Sequence, residues 1–129
     1  MIKFSALCLL LISSCASSLD VATIPQNQEV IRALKKMPKG GDYSTGRKAN
    51  DQLAKAVQVY RNIGLRSTPS RAKPSYCSGA TYLVLLEMIE AAVARGEFRL
   101  TEQQALALMV CGQADGDGVW GRWNANGPG

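Results

Sequence analysis

One short run in the 129-residue chain has the residue types for covalent chemistry: Ser75-Tyr76-Cys77-Ser78-Gly79. It lies where a loop rich in proline and basic residues, 64–74, meets the most continuously apolar stretch of the sequence, 80–94. A cysteine sulfur at the amino terminus of a helix faces unpaired backbone N–H groups and the positive end of the helix dipole. Both favour the thiolate, the form that attacks a carbonyl carbon. Small neighbours such as Ser78 and Gly79 keep the sulfur reachable and let a substrate carbonyl approach the N–H groups that would hold an oxyanion. The pattern points to Cys77 as a nucleophile, with Ser78 and Gly79 in an oxyanion or substrate-binding role. Two other readings stay open: a disulfide with Cys111 and a buried structural thiol.

A second distinctive run is Gly118-Val119-Trp120-Gly121-Arg122-Trp123-Asn124. Trp120 and Trp123 can form one wall of a substrate cleft, with Arg122 available to an acidic group. The competing reading is that both rings fold back to cover a small core. Asp115-Gly116-Asp117-Gly118 begins like a calcium loop, but no closing glutamate follows at the required spacing. No set of cysteines and histidines exists for zinc, so neither metal nor cofactor is expected.

A thiol nucleophile needs a partner that takes its proton and returns it to the leaving group. The chain contains no histidine. Carboxylates are ordinarily too acidic and lysines too basic to replace an imidazole near neutral pH.

Cys77-Ser78-Gly79 followed by an apolar helix resembles the nucleophile motif of the NlpC-type cell-wall cysteine peptidases, with Tyr76 at a position where those enzymes commonly carry aspartate. The resemblance covers about residues 72–92, and the helical amino half more loosely. It implies a papain-like fold in which helices come first, a cysteine heads the central helix, and a small antiparallel sheet then supplies the histidine. It also implies cleavage of a peptide or amide bond in peptidoglycan through a thioester. Both the histidine and the sheet that should follow are missing before Gly129. The expectation is the nucleophile-bearing front half of such an enzyme, truncated at its carboxyl end and inactive or incomplete. The rival from another class is a non-catalytic helical lipoprotein that binds cell wall or an envelope partner.

The elements that must position these residues read as helices. Asn27 is a candidate cap for a short helix with Val30, Ile31 and Leu34 on one side, stopped by Pro38. A turn at 39–42 leads to a second helix over 44–62, with Leu53, Ala56, Val57 and Tyr60 at helical spacing. The run 80–94 is the central buried helix, with Glu87 and Glu90 as its narrow polar stripe. Thr101 opens a fourth helix with Gln104 placed to close a capping box, and Gly112 ends it. From 115 the chain has no helix or strand period, and no segment alternates convincingly as a strand. The fold class is mainly α: about four helices in a small bundle with an irregular Gly/Trp-rich tail, resembling the helical half of a papain-like α+β fold that lacks its sheet.

The amino end places the protein in a cell. Lys3, the apolar run 4–12 and the small residues Ser13 and Ser14 form a signal peptide over 1–14, too short for a bilayer span. Ile12-Ser13-Ser14-Cys15 resembles a bacterial lipobox, which makes Cys15 the lipidated first residue of the mature form; ordinary cleavage between Ser14 and Ser18 is the alternative. Residues 15–26 then serve as a lipid-anchored tether and 27–129 as a single helical domain. The expected location is the periplasmic or outer side of an envelope membrane. Formal charge is +5, and subtracting the one positive charge of Lys3 leaves +4 after the signal. The basic residues are scattered with little aromatic interleaving, which argues against nucleic acid and for a solvated face or an anionic partner such as peptidoglycan or lipid headgroups.

Overall fold

The computed structural model describes residues 25–61, 64–114 and 116–125. The segment read as a signal, Cys15 read as the lipidation site and nearly all of the segment read as a tether lie outside the described residues, as do Asp115 and 126–129.

The chain is mainly helical. Helix α1 spans Pro25–Lys36, α2 Arg47–Ala56, α3 Cys77–Ala94, α4 Glu102–Ala107 and α5 Gly118–Ala125. Strands β1, Val57–Tyr60, and β2, Gly64–Ser67, pair antiparallel with Val57 opposite Ser67 and Tyr60 opposite Gly64. A single 3₁₀ turn, Pro69–Arg71, follows the hairpin.

Helix α3 is the axis of the fold. Its buried positions Gly79, Tyr82, Leu83, Leu86 and Glu87 recur three and four apart, the spacing that keeps one face turned to the core. Helix α1, strand β2 and helix α5 all pack against it. Tyr82, Leu53, Leu86 and Val57 are the largest fully buried side chains, so the core joins α2, β1 and α3. By length and composition alone α3 could cross a membrane, yet its stripe of buried positions faces protein.

Several expectations are corrected, the loop expected over 64–74 among them, since its first four residues are β2. The helix foreseen over 44–62 stops at Ala56, and the chain continues as β1. Val57, Val59 and Tyr60 are β-branched or aromatic and suit a pleated surface once a partner strand is present. That partner begins at Gly64, whose φ of 85° fits the end of the hairpin turn. The run from 118, read as irregular, is helix α5. Its start is built by Gln113, whose amide donates to the Ala107 carbonyl at 2.8 Å while its oxygen accepts from Trp120 N–H at 3.0 Å. One side chain thus closes the carboxyl end of α4 and the amino end of α5, satisfying groups that helix ends leave unpaired. Leu34, placed on the core side of the first helix, is 53% exposed; Ala33 is buried instead, so α1 is rotated toward α3 by about one residue.

The capping box at Thr101 and Gln104 is present, each side chain bonded to the other's backbone N–H. Helix α4 nonetheless ends at Ala107, short of Gly112. The narrow polar stripe of α3 points inward. Glu87 is 6% exposed, accepts a hydrogen bond from the Ser67 hydroxyl and pairs with Lys36 Nζ at 2.8 Å. Glu90, one turn on, accepts the Ser67 backbone N–H. Both carboxylates therefore tie the edge of the hairpin to α3.

Candidate functional site

Cys77 is the first residue of α3, and Tyr76 is its N-cap in extended conformation. No side chain caps this end. The first N–H groups of any helix lack intrahelical partners, so those at Cys77, Ser78 and Gly79 belong to the set that a bound oxyanion could use. Cys77 and Cys111 are both exposed and both carry free thiols. The two sulfurs are not joined in this structure.

The segment before Cys77 is held by a neighbour remote in sequence. Tyr43 and Ser75 form a parallel bridge, in which Ser44 N–H donates to the Ser75 carbonyl at 3.0 Å and Ser75 N–H to the Asp42 carbonyl at 3.1 Å. This bridge lays the loop after α1 alongside the entry to α3. Between them runs a groove of about 330 Å³. Cys77 and Ala80 of α3 line it together with Asp42, Tyr43 and Lys73. Tyr43 is 70% exposed at the rim. The Lys73 stem lies against Gly41, and its ammonium donates to the Lys39 carbonyl at 3.4 Å. The volume suits a small ligand or a few residues of peptide. Asp42, Tyr43 and Lys73 are the residues that sequence reasoning missed. They lie in loops without periodicity, and the bridge between Tyr43 and Ser75 brings Asp42 and Tyr43 toward Cys77.

The other sequence-derived candidates fall in different places. Gly79 is buried rather than turned to substrate. A Cβ there would lie 3.1 Å from Leu53 Cδ2 and 3.5 Å from the Tyr76 ring, so the glycine lets α2 and Tyr76 close on the first turn of α3. Ser78 faces α5: its hydroxyl donates to Asn124 Oδ1 at 3.4 Å, and its carbonyl accepts from Trp123 Nε1 at 3.2 Å. Trp120 is 4% exposed, and its ring centroid is 4.9 Å from that of Tyr82; Trp123 is half-buried, at 5.5 Å from the same ring. Both tryptophans cover the core beside α3, as the competing reading of that run had it. Arg122 is exposed on α5, donating to the Gly118 carbonyl at 2.7 Å. Neither tryptophan nor Arg122 lines the groove beside Cys77.

The tryptophans act on the site indirectly. Tyr82 donates to the Leu108 carbonyl at 2.8 Å within the core, and burial pushes its phenol up from the ordinary value. With Trp120 and Trp123 packed against its ring at tilted angles of 55° and 59°, Tyr82 fixes α5 to α3, and the Trp123 bond to Ser78 then holds the turn that carries Cys77. Packing of this kind holds a reactive side chain in a defined direction.

Chemically, the groove offers an accessible thiol, an ammonium, a carboxylate and a phenol, and no imidazole. Among the described residues no group of three histidine, cysteine, aspartate or glutamate side chains is placed to hold a metal ion. No protein-family model, no curated protein and no solved structure matches the chain.

Proposed function

We propose that the protein is an exported, lipid-anchored component of a bacterial envelope, similar to NlpC-type cell-wall cysteine peptidases. In this reading Cys77 occupies the nucleophile position, and the chain as given does not turn over substrate. The observation that carries it is the place of Cys77: an exposed, free thiol at the uncapped amino end of the central helix, on the wall of a peptide-sized groove. The thiolate would attack a stem-peptide carbonyl, the oxyanion would rest on the N–H groups of the first turn, and the amine would leave on taking a proton. Without histidine that last proton has no efficient donor, so reaction stops at or before the thioester.

Cys111 provides an internal control, since it is also exposed and free. Iodoacetamide at neutral pH is expected to modify Cys77 about tenfold faster than Cys111 or more, read by peptide mass over time. Equal rates would contradict a nucleophile at Cys77.

The absence of histidine favours a second reading, a non-catalytic module that binds cell wall or an envelope partner. It predicts that the protein co-sediments saturably with purified peptidoglycan and that Cys77→Ala binds as well as the parent. Loss of binding in Cys77→Ala would favour the first reading.

A further inference from the structure

Toward the end of α3 opposite Cys77 lies a larger cleft, of about 700 Å³, lined by β1 and β2, the second half of α3, and the segment that leads into α4. Three arginines line it from three separate parts of the chain: Arg61 just after β1, Arg66 within β2, and Arg99 before α4. None of the three has a carboxylate within ion-pair distance among the described residues. The contrast with Arg32 and Arg95 is clear, because Arg32 pairs with Glu29, and Arg95 with Glu29 and Glu97.

Two acids share the lining: neither lies within ion-pair distance of the three guanidinium groups, although the charge of Arg66 acts on the Glu90 carboxyl. Glu90 accepts the Ser67 backbone N–H, and Glu102 stands in the first turn of α4, where the helix dipole favours a negative charge. The floor is apolar, with Leu65, Val93 and Leu100. Like charges gathered round one concavity repel each other, and the arrangement is relieved when an anion enters. A guanidinium also matches carboxylate or phosphate oxygens in a two-pronged bond.

We propose that this cleft is a binding site for a small ligand that carries two or more carboxylate or phosphate groups on an apolar body. The site is independent of the Cys77 groove, and the proposal stands or falls without it. Anionic groups would bond to Arg66 and Arg99, with Arg61 adding charge at the rim, and the body would cover Leu65 and Leu100. The volume falls in the range of small-molecule sites, which suits a discrete ligand better than a flat surface would.

Isothermal titration of the purified protein at low salt tests this with three probes: the tripeptide Glu-Leu-Glu, its uncharged counterpart Gln-Leu-Gln, and pyrophosphate. Saturable binding of Glu-Leu-Glu marks a carboxylate ligand and of pyrophosphate a phosphate one, while Gln-Leu-Gln binds at least about tenfold more weakly. Arg66→Ser and Arg99→Ser should each lower affinity about tenfold, and Arg47→Ser, an exposed change outside the cleft, should leave it unaltered. Should either serine variant fail to fold, Arg66→Lys and Arg99→Lys keep the charge and lose the two-pronged bond, and weaken binding several-fold. Failure of both anions to saturate, affinity unchanged in the folded variants, or an equal loss in Arg47→Ser would overturn the proposal.

Discussion

The Ser67 hydroxyl donates to the buried carboxylate of Glu87, so that a two-residue contact joins the last position of β2 to the middle of α3. Lys36 at the end of α1 closes the same carboxylate from the other side. Three elements distant in sequence therefore meet at one charged group.

Because Glu87 is enclosed, removing its hydrogen-bond donor leaves a carboxylate oxygen without replacement by water. Ser67→Ala should lower unfolding stability by about 1–3 kcal/mol. Urea denaturation checks this. A change within error would mean that the Lys36 contact satisfies Glu87 unaided.

Glu90 gives the fold a pH dependence of definite sign. Burial is the largest influence on its carboxyl and raises the pKa above the ordinary 4.5, outweighing the Ser67 bonds that act in the other direction. A raised folded pKa means that the native state holds the proton more tightly than the unfolded chain. The corresponding stability is fully present below pH about 4.5 and is lost as pH rises through the folded value. Glu90→Gln lacks this loss. Its stability relative to the parent should therefore improve as pH rises from 4 toward neutrality, measured by melting temperature at a series of pH values. A difference that stays constant or runs the other way would contradict the assignment.

The close approach of α2 to α3 at the site rests on Gly79. Alanine there would place Cβ 3.1 Å from Leu53 Cδ2, and Leu53 is 1% exposed, so it has little space into which to move. Alanine favours a helix over glycine by about 1 kcal/mol, but overpacking costs about 1–3 kcal/mol, and the second effect should prevail. Gly79→Ala is expected to destabilise. In the Leu53→Val background the same change should cost less, as a double-mutant cycle would read.

Much of the helical framework was legible because it rests on local patterns. The apolar continuity of α3 and the Thr101–Gln104 capping box depend on residues close in sequence, and both are present. Strand β1 was hidden because Leu53, Ala56, Val57 and Tyr60 match a helical spacing; the partner strand after Gly64 decides the conformation, and pairing is a tertiary effect. Helix α5 was hidden because its glycines lower helix propensity, and the Gln113 bracket that organises its start belongs to another segment. Glu87 and Glu90 read only as a narrow polar stripe because nothing in their own helix announces that Ser67 and Lys36 will bond to them. At the site, the place of Cys77 at the entry to the central helix followed from the local change from loop to apolar run, although the helix starts three residues before 80; the approach of Asp42 and Tyr43 depends on a bridge between residues 43 and 75.

The central claim is that the Cys77 sulfur can accept an acyl group. The most direct measurement mixes the protein with an activated ester, p-nitrophenyl acetate, in phosphate buffer at neutral pH, where the thiolate attacks the carbonyl, nitrophenolate departs and a thioester forms. Expected are a burst of nitrophenolate approaching one equivalent, slow turnover afterwards, and an acetyl group located on Cys77 by mass spectrometry, all lost in Cys77→Ser and retained in Cys111→Ser. No burst, or acetyl found equally on Cys111, would contradict it.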